Sequence, residues 1–170
     1  MEAKKLTEAL YGFLKEKYPN IKIEVKGKEP EQEIFFLEDS FKHLFPLQRY
    51  YFINGAIPDD FFDKHLSEAI WYELAPGEKP QDLEYHDEDV VAELHDEIIE
   101  MLSEKSEYKT VLKEKLEASG VPSTDFRISK EIFNEFSLHP KEQFDIFHVF
   151  MHEGAYCDSE ILPNVFGETE

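Results

Sequence analysis

The sequence predicts an α+β fold that is mostly α-helical, with about six to eight helices and a small β element near residues 21–26. Two observations lead to this prediction. Apolar residues recur every three to four positions over most of the 170 residues, which is the period of one helix face. Residues 21–26 instead alternate strictly between apolar and charged, which is the period of a half-buried strand.

Length and composition indicate a single compact domain over residues 1–170, with an irregular tail from about residue 155. Of all residues, 41% are hydrophobic, and the chain contains fifteen Phe and eight Tyr. Such a chain can bury a core, which excludes a disordered acidic segment. Cys157 is the only cysteine, so an intramolecular disulfide is excluded.

The first third of the chain begins with a helix. Apolar residues from Leu6 to Leu14 share one helix face, and Pro19 and Asn20 follow as a stop signal. The strand at 21–26 then needs a partner for its backbone groups, and the candidates are residues 33–37, 50–53 or 126–128. Residues 34–45 fit either a helix or, in their first half, a strand.

Later helices have clearer boundaries. Pro58 opens a helix whose apolar positions run to Tyr72, before Pro76 and Gly77. Asp87 starts the most regular helix of the chain, with the apolar stripe Val90, Val91, Leu94, Ile98, Met101 and Leu102. Further helices are predicted over 108–116, after Ser129 as a cap, and from Pro140 to Gly154.

Negative charge is concentrated in two blocks. The net charge is -20, but residues 1–58 hold nine acids and nine bases. Residues 59–100 hold fifteen acids against Lys64 and Lys79, and residues 131–170 hold nine acids against Lys141. A field of this sign repels nucleic acid and anionic membranes and attracts cationic partners.

The helix from Asp87 is expected to display uncompensated carboxylates opposite its apolar stripe. Residues 80–104 contain no Lys or Arg, so no basic side chain within this helix can offset the acids. We predict a partner-binding surface at Glu93, Asp96, Glu97 and Glu100, with Asp59, Asp60, Asp63, Asp82, Glu84 and Glu88 nearby in sequence. A solvated face without a partner is the alternative interpretation.

These observations favour a non-enzymatic, cytoplasmic protein that occludes a basic surface of a partner protein. Immunity proteins against nuclease toxins and inhibitors that imitate nucleic acid act in this way, so a nuclease or another nucleic-acid-binding protein is the expected kind of partner. We expect no cofactor, no direct binding of nucleic acid and no association with membranes. A regulatory or structural subunit is a second interpretation.

A metal site is the alternative from a different class. Asp145, His148 and His152 share one side of the last long helix. The spacing of four residues between the two histidines would let both imidazoles reach one metal ion. His86 or His95 could add a ligand, which would suit a small metal-dependent enzyme or metal-binding domain. The general-base Glu of the H-E-x-x-H motif is absent, because Val149 follows His148. No catalytic residues are predicted.

Aromatic residues occur in adjacent pairs, among them Trp71-Tyr72 and Phe61-Phe62. Neighbours in a helix point about 100° apart, so one of each pair can enter the core while the other stays near the surface. Core packing is the simpler explanation, and exposed Tyr or Trp side chains would serve as interface anchors.

Overall fold

The computed structural model describes residues 1–104 and 106–168, which fall into two compact units, Met1–Tyr85 and His86–Glu170. Eight α-helices and a three-stranded sheet lie within the described residues, so the predicted mostly helical α+β class is confirmed. One domain over residues 1–170 stays a prediction.

The first unit combines a sheet with three helices. Its elements are α1 Ala3–Leu14, β1 Lys22–Lys28, β2 Glu31–Leu37, α2 Pro46–Asn54, α3 Asp59–His65 and β3 Ile70–Leu74. β1 and β2 form an antiparallel hairpin, and β3 pairs with β2 in parallel, in the order β1-β2-β3. A parallel neighbour requires a crossover, which α2 and α3 provide.

One face of the sheet belongs to the core of this unit. Alternation places Ile34 and Phe36 of β2 on the same face, and both are fully buried. Leu6, Leu10 and Leu14 of α1 are also fully buried and belong to the same apolar cluster. The predicted helix face is thus confirmed, and so is the half-buried strand predicted at 21–26, because Ile23 and Val25 of β1 are partly buried against this cluster.

The described residues of the second unit form helices joined by loops. This unit contains α4 Glu88–Glu104, α5 Ser106–Ser119, α6 Arg127–Glu135, α7 Pro140–His152 and α8 Asp158–Phe166. Stacked rings form much of its core: Tyr108 lies 4.9 Å from Phe133, and Phe126 lies 4.7 Å from Phe147, between ring centroids. α4 packs against α5 and α7.

Of the three candidate partners for the strand at 21–26, residues 33–37 are confirmed, since they lie in β2, whereas residues 50–53 lie in α2 and residues 127–128 in α6. Two other expectations are wrong. The helix from Pro58 does not reach Tyr72, because α3 ends at His65 and residues 70–74 form β3. Ser129 lies inside α6 and does not cap it.

The tail from about residue 155 was expected to be irregular, but it contains α8. Pro163 lies inside this helix, and Gly167, in the left-handed conformation, ends it. The helix is nine residues long and packs against α5 and α6, so tertiary contacts stabilise a segment whose own periodicity is weak.

Candidate functional site

The acidic face of α4 is exposed, as the spacing predicts. Val91, Ile98 and Leu102 are buried on one side of the helix. The four acidic residues predicted for the other side, Glu93, Asp96, Glu97 and Glu100, are exposed, as are Glu104 in the last turn and Glu88 in the first. We call the five residues from Glu93 to Glu104 the α4 acidic face.

Within the described residues, no Lys or Arg forms an ion pair with the α4 acidic face. The nearest cationic candidate is His95, whose Nδ1 lies 2.9 Å from Asp96 Oδ1 and whose Nε2 lies 2.8 Å from Glu153 Oε1. Hydrogen bonds to Asp96 and Glu153 raise the pKa of His95 above its usual value. Apart from Asp96, the carboxylates of the face have no ion pair among the described residues.

The other predicted acidic residues belong to the first unit, apart from Glu88. Asp59, Asp60 and Asp63 are exposed on α3. The first two lie in its first turn, where the positive end of the helix dipole stabilises their negative charge. Asp82 Oδ2 accepts a 2.8 Å hydrogen bond from the Lys79 backbone N–H, and Glu84 is exposed. The structure thus gathers Glu88, Glu93, Asp96, Glu97 and Glu100 on one helix and places the other five in a separate unit.

The residues of the metal alternative have different partners. Asp145 Oδ1 lies 2.6 Å from His86 Nε2. His148 Nδ1 donates a 2.7 Å hydrogen bond to the Phe144 carbonyl, and burial lowers the pKa of His148. His152 is exposed, 6.4 Å from His95 between ring centroids.

Residues 1–104 and 106–168 contain no group of three or more His, Cys, Asp or Glu side chains that could hold a metal ion. Asp145 pairs with His86, one of the two further ligands considered for this site, and His148 Nδ1 bonds to its own helix, so the metal alternative stays a prediction without a described three-ligand cluster behind it. Cys157 is buried, and burial raises the pKa of its thiol to about 11, so it carries little thiolate at neutral pH.

A cavity in the first unit was not predicted from the sequence. It has a volume of about 350 Å³ and aromatic walls. The lining residues are Leu47, Tyr50, Phe62, Leu66, Ser67, Ala69, Trp71, Glu73 and Tyr85. The ring centroid of Trp71 lies 5.4 Å from that of Tyr50 and 5.6 Å from that of Phe62. We call this the Trp71 cavity.

Glu73 supplies the acidic group of the Trp71 cavity. Its side chain is 1% exposed, and its Oε1 atom has no hydrogen-bond partner among the described residues. Burial raises the pKa of Glu73 to about 7, although the charge of Arg49 opposes this shift. The phenol of Tyr85 also lies near, and burial together with the Glu73 charge raises the pKa of Tyr85 to about 12.

Arg49 lies beside Glu73 but its charge is already paired. Its Nη1 and Nη2 atoms bind Glu78 at 2.6 and 3.1 Å, a bidentate arrangement. Nη1 also donates to the Glu73 backbone carbonyl at 2.9 Å, and Nε donates to the Leu44 carbonyl at 3.0 Å. These bonds hold α2 against β3 and position the floor of the Trp71 cavity.

Sequence reasoning missed this cavity because it assigned residues 70–72 to a helix. In a helix, Trp71 and Glu73 point about 200° apart, whereas in a strand they share one face. The signal present in the sequence was the β-branched and aromatic run Ile70-Trp71-Tyr72, which favours a strand.

None of the helices within the described residues is both long and apolar enough to cross a lipid bilayer. Comparison of the chain with protein-family models, curated proteins and solved structures gives no match.

Proposed function

We propose that this chain is a non-enzymatic binding protein that occupies a basic surface of a partner protein through the α4 acidic face. The observation that supports the proposal is the exposure of all five carboxylates of this face without a Lys or Arg partner among the described residues. A nuclease or another nucleic-acid-binding protein of the cytoplasm fits best, so the role resembles that of an immunity protein or a nucleic-acid mimic.

Charge spacing supports this kind of partner. The 1.5 Å rise per residue gives the α4 acidic face roughly one charge per 4 Å of helix axis. A DNA strand carries one charge per about 3.4 Å. A groove lined by Lys or Arg that accepts phosphates can therefore accept this helix at a similar charge density, and the complementary fields speed association.

Helix stability does not explain the α4 acidic face. Like charges four residues apart, such as Glu93 and Glu97, each destabilise a helix by roughly 0.2–0.5 kcal/mol. α5 shows the usual alternative, because its acids are mixed with Lys109, Lys113 and Lys115. The loss of helix stability that these like charges cause in α4 is consistent with a surface whose function is to bind a partner.

The test compares two triple charge reversals with the same change in net charge. One variant carries Glu93→Lys, Glu97→Lys and Glu100→Lys on α4. The matched control carries Glu107→Lys, Glu114→Lys and Glu117→Lys on α5, where all three residues are also exposed. Each protein is immobilised, incubated with host lysate at low salt and eluted with a salt gradient.

A basic protein retained by the wild type and by the α5 variant, but lost from the α4 variant, is the expected result. With that protein purified, added duplex DNA should compete for the complex if the partner surface binds nucleic acid. Equal retention by the α4 and α5 variants would rule out the α4 acidic face as the binding surface.

A further inference from the structure

The Trp71 cavity combines aromatic walls with one buried carboxylate. Trp71 and Glu73 share a face of β3, while Tyr50 comes from α2 and Phe62 from α3. Three different elements therefore converge on one concave site with a polar group at its base, which is the usual composition of a small-ligand site. Its volume of about 350 Å³ suits a ligand of a few heavy atoms, since such sites range from about 300 to 1,000 Å³.

The charges at the base of the cavity sum to a negative value when Glu73 is ionised. Arg49 is neutralised by the bidentate bonds to Glu78, which leaves the Glu73 carboxylate without a cation of its own. Its Oε1 atom, on a side chain that is 1% exposed, has no partner among the described residues. A buried acceptor without a donor costs free energy that a ligand donor can recover.

We propose that the Trp71 cavity binds an alkylammonium group, with its methylene groups against Trp71 and Phe62 and its N–H groups donating to Glu73 Oε1. A cation is favoured twice, because aromatic faces attract positive charge and the carboxylate provides the counter-ion. A neutral ligand would leave the ionised carboxylate uncompensated, and an anion would be repelled by it.

This site does not depend on the proposed function, because the Trp71 cavity and the α4 acidic face belong to different units. The ammonium group can come from a free amine or from a lysine side chain of a partner. Both sources present the same chemistry to Glu73, and separate arms of the experiment distinguish them.

The chain provides its own reporter for the test. Trp71 is the only tryptophan, so a change in tryptophan fluorescence reports on the walls of this cavity. The probe is n-butylammonium chloride, titrated at constant ionic strength and pH 8. We expect a saturable change in the fluorescence of Trp71, and no saturable change with 1-butanol, which has the same alkyl chain without the charge.

Glu73→Gln keeps the side-chain shape and removes the charge, and should weaken n-butylammonium binding by about tenfold or more. The matched control is Asp63→Asn, which removes an exposed carboxylate from α3, the helix that supplies Phe62. This control should bind like the wild type. An equal loss of n-butylammonium affinity in both variants would mean that the cation is attracted nonspecifically to a negatively charged protein, and would overturn the proposal.

A pH series on the wild type needs no variant. Since burial raises the pKa of Glu73 to about 7, a proton competes with the cation, and binding should be about tenfold weaker at pH 6 than at pH 8. Arg49, Glu78 and Tyr85 are the other ionisable groups at this end of the cavity, and a pKa of about 12 keeps the Tyr85 phenol neutral over this range. Binding that is independent of pH, or binding of 1-butanol as tight as that of n-butylammonium, would overturn the proposal.

The source of the ammonium is settled with acetyl-Gly-Lys-Gly-amide and its Nε-acetyl-lysine form as probes. Binding of the lysine peptide but not of its acetylated form indicates a partner's lysine, and supports the site. Binding of n-butylammonium alone indicates a free amine, and also supports it. No saturable response to either cation overturns it.

Discussion

Asp158 shows how one side chain can organise a unit. It is fully buried and accepts hydrogen bonds from the Ile128 and Ser129 backbone N–H groups and from the Ser129 hydroxyl, at 2.8, 2.9 and 2.5 Å. Ser123 Oγ also donates to it at 3.2 Å. Two of these donors are free N–H groups of the first turn of α6, so a residue thirty positions away caps that helix.

The sequence could not predict this role. Asp158 follows Cys157 at the start of a segment without clear periodicity. Nothing within a few residues of Asp158 identifies Ser129 or Ile128 as donors, because α8 and α6 are brought together by tertiary packing. The same packing explains why Ser129 was mistaken for a helix cap, since its hydroxyl donates to Asp158 instead of accepting from α6.

Replacing Asp158→Ala should lower the free energy of unfolding by about 3 kcal/mol, because buried donors lose their acceptor. The control is Asp87→Ala, which removes an exposed carboxylate that accepts from the Asp89 N–H and should cost about 1 kcal/mol. Urea unfolding followed by circular dichroism measures both. Equal costs would contradict the proposed role of Asp158.

His95 should make stability depend on pH. The folded-state pKa of His95 is raised by hydrogen bonds to Asp96 and Glu153, so its protonated form is favoured by folding. Its contribution is fully present below the unfolded pKa of about 6.5 and is lost as pH rises through the folded pKa. The measurement is the difference in unfolding free energy between the wild type and His95→Gln.

That difference should favour the wild type at pH 5.5 and shrink by pH 8. A difference for His95→Gln that grows with pH would mean that the ring is bound in its neutral form.

At the scale of elements, periodicity predicted the long helices and failed at the short elements. α1 and α4 were predictable because twelve and seventeen residues carry an apolar stripe through several turns. β3 has five residues, and Ile70-Trp71-Tyr72 follows α3 closely enough for its apolar positions to extend the helical pattern. The composition of this run favours a strand only weakly, and pairing with β2, which is not a local property, decides the conformation.

The candidate sites divide in the same way. The α4 acidic face follows from helical spacing alone, so its residues and their exposure could be predicted. The Trp71 cavity depends on three elements and on the hydrogen bonds of Arg49 to Glu78 and to the Glu73 carbonyl. No local sequence pattern predicts these contacts. Glu73 was one of thirty-eight acids in the sequence, and only the structure shows that it is buried with an Oε1 atom that has no partner among the described residues.

The substitution Glu97→Lys should stabilise α4 and, at the same time, weaken the binding of a basic partner to the α4 acidic face. Two like-charge contacts, with Glu93 and Glu100, become attractive, so the unfolding free energy should rise by about 0.8–2 kcal/mol. Glu97→Gln removes the repulsion without adding attraction and should give about half this gain. A loss of stability in both variants would show that Glu97 has a structural role in α4, against the proposal that it is kept for binding.

At the scale of the molecule, the two units differ in charge. Met1–Tyr85 contains 17 acids and 11 bases, and His86–Glu170 contains 21 acids and seven bases. Self-repulsion of like charges destabilises a compact state, and salt screens it. The second unit should therefore depend more strongly on ionic strength.

Raising NaCl from about 0.02 to 0.2 M, where the Debye length shortens severalfold, should increase unfolding free energy by about 1 kcal/mol. Hydrogen exchange measured by mass spectrometry resolves the two units. Exchange should slow more in α5–α8 than in α1 and β1, and an equal response in both units would contradict the expectation.

The parallel pairing of β2 with β3 has a consequence for the order of folding. The β1–β2 hairpin is local in sequence, whereas β3 can pair only after the thirty-two residues between Leu37 and Ile70 have closed a loop. The Trp71 cavity is built from this crossover and from β3, so we expect it to form after the hairpin and α1. An occupant of the cavity would consequently slow unfolding and leave the folding rate nearly unchanged.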